Sequence, residues 1–147
     1  MGKGLSDLQN AIVIIAQENI KNEPRRKEHF GADIYSPEVL QRFYGFPVKE
    51  KYSFNNPASI RDRPTNWHFS VKEIGEKKYR AAISAVSRAM RRLEKRKLLE
   101  RFCLADGEAC ANLTDKGKSL KPREVKLHPA NAPAKIEFGA YSMFIKE

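Results

Sequence analysis

The chain has 147 residues, of which 41% are hydrophobic and 31% are charged, and this size and composition are typical of one soluble globular domain with tails. Lysine and arginine outnumber aspartate and glutamate by 28 to 18, which gives a net charge of +10. The apolar run from Ala11 to Ala16 is too short to cross a bilayer, and its polar flanks do not fit a secretory signal. We therefore expect a cytoplasmic protein without a membrane segment.

A first helix is indicated near the start of the chain. Ser6 is followed three residues later by Gln9, and this pair forms a capping box ahead of apolar residues at helical spacing. The pattern predicts a core helix from about Asp7 to about Asn19. Pro24 then prevents the helix from continuing through the polar stretch that follows.

A second, shorter helix is marked at both ends. Ser36 is placed to act as its N-cap and Pro37 to occupy its first position, while Gly45 and Pro47 close it. The apolar and aromatic residues of its buried side would be Val39, Leu40, Phe43 and Tyr44.

The longest predicted helix has one apolar and one cationic side. Ser70 and Glu73 form a capping box that opens it, so we expect it to run from about Val71 to about Lys97. At a period of 3.6 residues, the apolar side consists of Tyr79, Ala82, Ile83, Val86, Met90 and Leu93. The opposite side carries cations and hydroxyl groups and consists of Arg80, Ser84, Ser87, Arg88, Arg91 and Lys95.

The positive charge of the chain is concentrated in this helix. From Val71 to Arg101 there are eleven Lys or Arg residues against four Glu, a net of +7 out of +10. A solvated helix face normally mixes its signs, so this clustering favours contact with nucleic acid over plain solubility. The candidate contact residues are Lys77, Lys78, Arg80, Ser84, Ser87, Arg88, Arg91, Arg92 and Lys95.

A β-hairpin is predicted directly behind the basic helix, where it would form a wing. Residues 98–104 and 110–113 have strand character, and the turn pair Asp106-Gly107 lies between them. Thr114 then caps a short final turn. Cys103 and Cys110 are expected to be free thiols, with a redox pair possible only if the hairpin register sets them opposite each other.

This part of the chain resembles the recognition helix and wing of winged helix-turn-helix regulators of the MarR type. The resemblance lies in residues 84–101 (SAVSRAMRRLEKRKLLER), the hairpin that follows, and residues 113–117 (LTDKG). The resemblance implies a mainly α fold with a small β-hairpin wing. The winged helix-turn-helix domain would span residues 1–120, and residues 121–147 would form a C-terminal extension. The helix at residues 36–44 would be the positioning helix of the motif.

The resemblance also implies roles for individual residues. In this family the recognition helix lies in the major groove, and the wing reaches the adjacent backbone or minor groove. By position, Ser84, Ser87 and Arg88 would lie on the base-reading side, and Arg91 and Arg92 would lie nearer the phosphates.

The chain departs from the family pattern at two places. Lys97 stands where family members usually have a glycine, the residue best suited to a positive φ. In addition, a long loop is predicted at about 48–69, where the family has a tight turn, and loops of this length are usually functional or mobile. Either the loop is an elaboration that adds contacts, or the helix that begins at Ser36 is not the partner of the recognition helix.

The sequence therefore predicts a transcriptional regulator that binds double-stranded DNA sequence-specifically through the basic helix (about 71–97) and the wing hairpin (about 98–113), possibly as a homodimer. An RNA-binding or ribosome-associated protein and a protein-interaction module are the alternatives. The apolar segment Ile136–Ile145 is expected to pack on its own domain or on a second subunit. His29, His68 and His128 are scattered, and no catalytic or phosphate-loop motif is present, so we expect no enzyme activity, metal or cofactor.

Overall fold

A computed structural model describes residues 4–25, 31–48, 69–103 and 109–129. Within these ranges the protein is mostly helical and has one small antiparallel sheet, as predicted. The interior of the predicted long loop, the turn pair Asp106-Gly107 and the segment Ile136–Ile145 lie outside the described residues. The elements in chain order are α1 (Asp7–Asn22), β1 (Ile34–Tyr35), α2 (Ser36–Arg42), α3 (Val71–Ile74), α4 (Glu76–Lys95), β2 (Leu99–Cys103), β3 (Ala109–Leu113) and α5 (Asp115–Ser119).

The predicted capping box of α1 is confirmed. The Gln9 backbone N–H donates to the Ser6 hydroxyl at 3.1 Å, and the Ser6 N–H donates to the Gln9 side chain at 2.9 Å. The helix continues three residues beyond the predicted end, to Asn22. It stops there because Glu23 precedes a proline and has the non-helical angles φ −134° and ψ 75°.

Helix α2 begins at Ser36, but its N-cap is Tyr35 rather than the predicted Ser36. Tyr35 is extended and ends β1, and its N–H donates to the buried Glu38 carboxylate at 2.8 Å. The Glu38 carboxylate also accepts from the Asn19 side chain of α1 at 3.3 Å. The start of α2 is therefore fixed to both β1 and α1.

The prediction of one continuous helix over residues 71–97 is wrong. The chain forms α3 and α4, which are separated at Gly75. Gly75 has φ +103°, a conformation that side chains rarely adopt and that interrupts the helical hydrogen bonding. The predicted cap at Ser70 is present, since its hydroxyl accepts from the Glu73 N–H at 3.2 Å, but it starts the single turn of α3.

The core lies between three mutually packed helices, α1, α2 and α4, and one face of the sheet. In the sheet β3 is central, with β1 on one side and β2 on the other, and both pairs are antiparallel. The buried residues that the sheet contributes to this core are Ile34, Leu99, Ala111 and Leu113. Helix α4 therefore packs over the same core that supports the hairpin.

A pair of polar side chains ties the two-residue strand β1 to β3. The buried Asp33 carboxylate accepts from the Leu113 N–H, and the Asp33 N–H donates to the Asn112 side chain, both at 2.9 Å. The Asp33 carbonyl also accepts from Asn19 of α1 at 3.0 Å. These hydrogen bonds satisfy buried polar groups that would otherwise be costly.

The first part of the C-terminal extension docks on the helices. The Arg123 N–H donates to the Asn10 side chain at 2.9 Å, and its guanidinium pairs with Asp7 at 2.6 Å. Farther along, His128 and Arg42 exchange two hydrogen bonds of 2.7 and 2.8 Å. The chain from Leu120 to His128 thus runs from α1 to the end of α2.

Gly117 allows the base of the hairpin to close. A Cβ atom at this position would overlap the Leu98 carbonyl oxygen. We predict that Gly117→Ala lowers the free energy of unfolding by about 1–3 kcal/mol, the usual range for overpacking. Urea unfolding measures the change.

Gly4→Ala is the matched control, because a Cβ atom at Gly4 meets nothing within 4 Å. Its urea midpoint should stay near that of the wild type. Equal midpoints for the two variants would contradict the close approach at Gly117.

Candidate nucleic-acid interface

Helix α4 buries one side and exposes the other. Its buried residues are Ala82, Val86, Ala89, Met90 and Leu93, which confirms most of the predicted apolar side. Tyr79 is half-buried. The prediction for Ile83 is wrong, because this side chain is 42% exposed. It lies at the edge of the apolar side, where no described element packs over it fully.

All nine candidate contact residues lie on α4, and the structure places them on the side that faces away from the core. Eight of them are exposed, and Ser87 is half-buried. The seven cations of this group form a surface that we call the cationic side: Lys77, Lys78, Arg80, Arg88, Arg91, Arg92 and Lys95.

The cationic side has little internal neutralisation. Arg80 pairs with Glu76 at 2.6 Å, but both side chains are well exposed, and helix pairs of this kind are worth only about 0.3–0.5 kcal/mol. Arg91 donates to the Ser87 hydroxyl at 3.3 Å. The remaining cations of this side form no ion pair with any residue in the described ranges, so they are available to an external anion.

Four of these cations surround a shallow depression of about 190 Å³, lined by Arg88, Arg91, Arg92 and Lys95. Arg91 and Arg92 each lie three or four positions from both Arg88 and Lys95, so the four side chains leave the same side of the helix. Like charges this close repel one another. An anion with several oxygen acceptors, such as phosphate, would relieve that repulsion and accept several charge-assisted hydrogen bonds.

Tyr44 is a site residue that the sequence reasoning assigned only to the buried side of α2. Burial raises the pKa of its phenol above 10.0, and the charge of Arg88 partly opposes this shift. The ring stacks on Phe46 at 5.4 Å between centroids. Tyr44 therefore sits beside Arg88 at the junction of α2 and α4. The aromatic run at 43–46 was the signal that could have indicated this junction.

Helix α2 is the spatial neighbour of α4, although residues 43–75 separate them in the chain. The two helices pack directly against each other. Val48 and Phe69, which flank the predicted loop, pair in an antiparallel bridge, and Phe46 packs near both Phe69 and Tyr79. The helix that begins at Ser36 therefore lies directly against the basic helix.

In addition to the shared core, one hydrogen-bonded side chain links the hairpin to α4. The Glu94 carboxylate accepts from the Arg101 backbone N–H at 3.1 Å and from its guanidinium at 3.0 Å. These two hydrogen bonds lower the pKa of Glu94 below its ordinary value of 4.5. Because β2 is an edge strand, Glu94 also satisfies a backbone donor that would otherwise be unpaired.

The hairpin register does not make the two cysteines cross-strand partners. Cys110 lies opposite Phe102, and Cys103 lies opposite Ala109. Cys110 is buried, and its thiol donates to the Phe102 carbonyl at 3.5 Å. A disulfide across directly opposed positions is therefore not available in this register.

Helix α4 ends in a Schellman motif, with Lys97 in the position that glycine usually occupies. The Lys97 N–H donates to the Glu94 carbonyl at 2.9 Å, and the Leu98 N–H donates to the Leu93 carbonyl at 3.0 Å. Lys97 has φ +65° and is the only non-glycine residue with a positive φ in the described part of the chain. The expected need for a positive φ at this position is confirmed.

No protein-family model, curated protein or solved structure matches the chain. In the described ranges, no helix combines the length and the apolar character that a membrane span requires. Nor does any set of three or more His, Cys, Asp or Glu side chains there have a metal-binding arrangement. The geometry of α4 and the hairpin is therefore the basis for a functional conclusion.

Replacing Lys97 by glycine should stabilise the protein. A left-handed conformation costs a residue with a Cβ atom about 1–2 kcal/mol, and glycine removes this cost. The greater freedom of glycine in the unfolded chain cancels part of the stability gained in this way. We predict that Lys97→Gly raises the free energy of unfolding by about 1 kcal/mol. Lys95→Gly, which lies in the last helical turn, should instead lower it by about 0.5–1 kcal/mol. A loss of stability in both variants would contradict the strain at Lys97.

The contact between Glu94 and Arg101 should be sensitive to acid. Because folding lowers the pKa of Glu94, its contribution to stability is present above pH 4.5 and is lost as the pH falls through the folded-state pKa. We predict that Glu94→Gln lowers the urea midpoint at pH 7 and that its difference from the wild type shrinks at pH 3. More than a third of each side chain is exposed, so the effect should stay below about 1 kcal/mol.

Glu100→Gln is the control for this experiment. Glu100 lies on β2, the strand that contains Arg101. Its side chain is exposed, and its carboxylate has no hydrogen bond or ion pair with other described residues. Its variant should follow the wild type at both pH values. If the urea midpoint of Glu94→Gln differs from that of the wild type by the same amount at both pH values, the ionised carboxylate of Glu94 is not the form that stabilises the protein.

Proposed function

We propose that the chain is a winged helix-turn-helix protein that binds double-stranded DNA and acts as a sequence-specific transcriptional regulator. The observation that carries this proposal is the cationic side of α4, which is exposed, opposite a buried side, and nearly without internal counter-ions. A charged surface of this kind is the electrostatic signature of a protein that binds a polyanion.

The arrangement of elements supports a winged helix-turn-helix architecture. A helix, a short strand and a second helix precede α4, a hairpin follows it, and the sheet order is β1-β3-β2. In this interpretation α2 is the positioning helix and α4 is the recognition helix. At 20 residues, α4 is about 30 Å long, which is enough to cross a major groove about 12 Å wide.

In the proposed complex, two sets of side chains have different roles. Arg91, Arg92 and Lys95 bind phosphates and supply affinity that does not depend on sequence, since each neutralised phosphate releases counter-ions. Ser84, Ser87 and Arg88 face base edges. Arginine can donate two hydrogen bonds to guanine, and a serine hydroxyl can donate or accept.

The hairpin would act as the wing. Its strands are joined to the C-terminal part of α4 by the contact between Glu94 and Arg101, so the wing and the recognition helix move together. In the complex the wing would reach the adjacent backbone or minor groove, as in other winged helix proteins. A homodimer on two half-sites, the common arrangement for such regulators, would place the sites about 10 base pairs apart or at a multiple of that spacing.

Two substitutions separate the proposed roles. Arg88→Ala should weaken binding to a preferred duplex by about 1–3 kcal/mol, with a smaller loss on random duplex, because it removes a base contact. Lys95→Ala should weaken binding to both duplexes equally and reduce the slope of log K against log salt by about 1. Fluorescence anisotropy at several salt concentrations measures both effects, after a preferred duplex has been selected from a random pool.

Lys21→Ala is the charge-matched control, because Lys21 is an exposed cation at the end of α1. It should leave binding to both duplexes nearly unchanged. Equal losses on preferred and random duplexes in Arg88→Ala and Lys95→Ala would overturn the assignment of roles. Stronger binding to structured RNA than to duplex DNA at fixed salt would overturn DNA as the partner.

A further inference from the structure

Ile83 is the only large hydrophobic side chain that is exposed in the described ranges, at 42%. A single exposed apolar residue is common on protein surfaces and needs no explanation by itself. Ile83 differs because it lies on α4 between two residues of the proposed DNA-binding surface. Arg80 is three positions before it and Ser87 four positions after it, and residues at these spacings are neighbours on a helix.

The surface beside Ile83 is also apolar and concave. Ile83 forms part of the wall of a pocket of about 330 Å³ between α4, the start of α2 and the hairpin, lined by Ser36, Ile83, Ser87, Met90, Arg101, Phe102, Ala109 and Cys110. The pocket gives the apolar surface of Ile83 a continuation towards Met90 and Phe102. A group that binds against Ile83 can therefore leave water on more than one side.

A helix that enters the major groove at Arg80 and Ser87 brings the side chain between them to the same groove. The apolar group that the major groove presents is the 5-methyl group of thymine, which aliphatic side chains recognise by contact. Arg80 lies next to Ile83, and the cationic side that continues beyond Arg80 attracts phosphates, so the charge of the surrounding surface favours DNA as the occupant of this position.

We infer that Ile83 packs against the 5-methyl group of a thymine and makes thymine the preferred base at one position of the binding site. This inference rests on the proposed function, since it requires α4 to lie in the major groove. It assigns base discrimination to a residue without hydrogen-bonding groups, whereas the sequence had placed that residue in the core.

The test uses a duplex selected by the wild-type protein from a random pool. Each thymine is replaced in turn by deoxyuridine, which removes only the 5-methyl group, and affinity is measured for the wild type and for Ile83→Ala. One position should lose about fourfold in wild-type affinity, which corresponds to about 0.8 kcal/mol for burying one methyl-sized group. In Ile83→Ala the same replacement should have almost no effect.

Lys21→Ala is the control, because it changes an exposed residue at the end of α1, outside the proposed interface, and leaves Ile83 in place. The fourfold effect of deoxyuridine should persist in this variant. Thermal unfolding of Ile83→Ala, which alters an exposed side chain, should match the wild type and exclude a folding defect as the cause.

The outcomes distinguish the inference from the function on which it rests. If the wild type selects no preferred duplex, the proposed function and the inference fail together. If it selects one, but every deoxyuridine replacement has the same effect in the wild type and in Ile83→Ala, the inference alone is overturned. A selected site that contains no thymine has the same consequence.

Discussion

The structure depends on the burial of one side of α4, because that burial fixes where the opposite side points. Val86, Met90 and Leu93 are almost fully buried between α1, α2 and the sheet, and each contributes about 1.5–3 kcal/mol relative to an exposed position. The cations on the other side repel one another, and the described carboxylates neutralise few of them. The apolar contacts are strong enough to hold this unfavourable charge distribution in place without an anion. The proposed binding of a polyanion would therefore meet cations that are already in position.

The end of α4 sets the direction of the hairpin through backbone constraints. Lys97 turns the chain by adopting a positive φ, after which the Leu98 carbonyl accepts from the Thr114 N–H at 3.1 Å. The Thr114 hydroxyl donates to the Lys97 carbonyl at 2.7 Å and accepts from the Gly117 N–H at 3.0 Å. The segment 113–117 therefore has a physical role that its resemblance to a family motif did not explain. It joins the exit of the hairpin to its entry, directly after the end of α4.

Local signals in the sequence were sufficient for much of this architecture. The capping box at Ser6, the apolar spacing of α4 and the hairpin depend on neighbours within a few residues, so a single sequence contains the information. Features that depend on distant partners were missed. Strand β1 has two residues and exists because Asp33 exchanges hydrogen bonds with β3. The break at Gly75 was also missed, because a single glycine inside a helical pattern is often tolerated.

The candidate site shows the same division between local and tertiary information. Its cations were predictable because exposure of a lysine or arginine is the default, and their clustering is a property of the sequence. The exposure of Ile83 and the position of Tyr44 beside Arg88 depend on how α2 and the hairpin pack, which a helical wheel does not contain. This difference matters for the proposed function. In the proposed complex, phosphate contacts would increase affinity for every duplex alike, so most of the seven cations would supply affinity and few would supply choice of site. Discrimination would come from Ser84, Ser87 and Arg88, which the sequence already identified, and from Ile83, whose exposure only the fold defines.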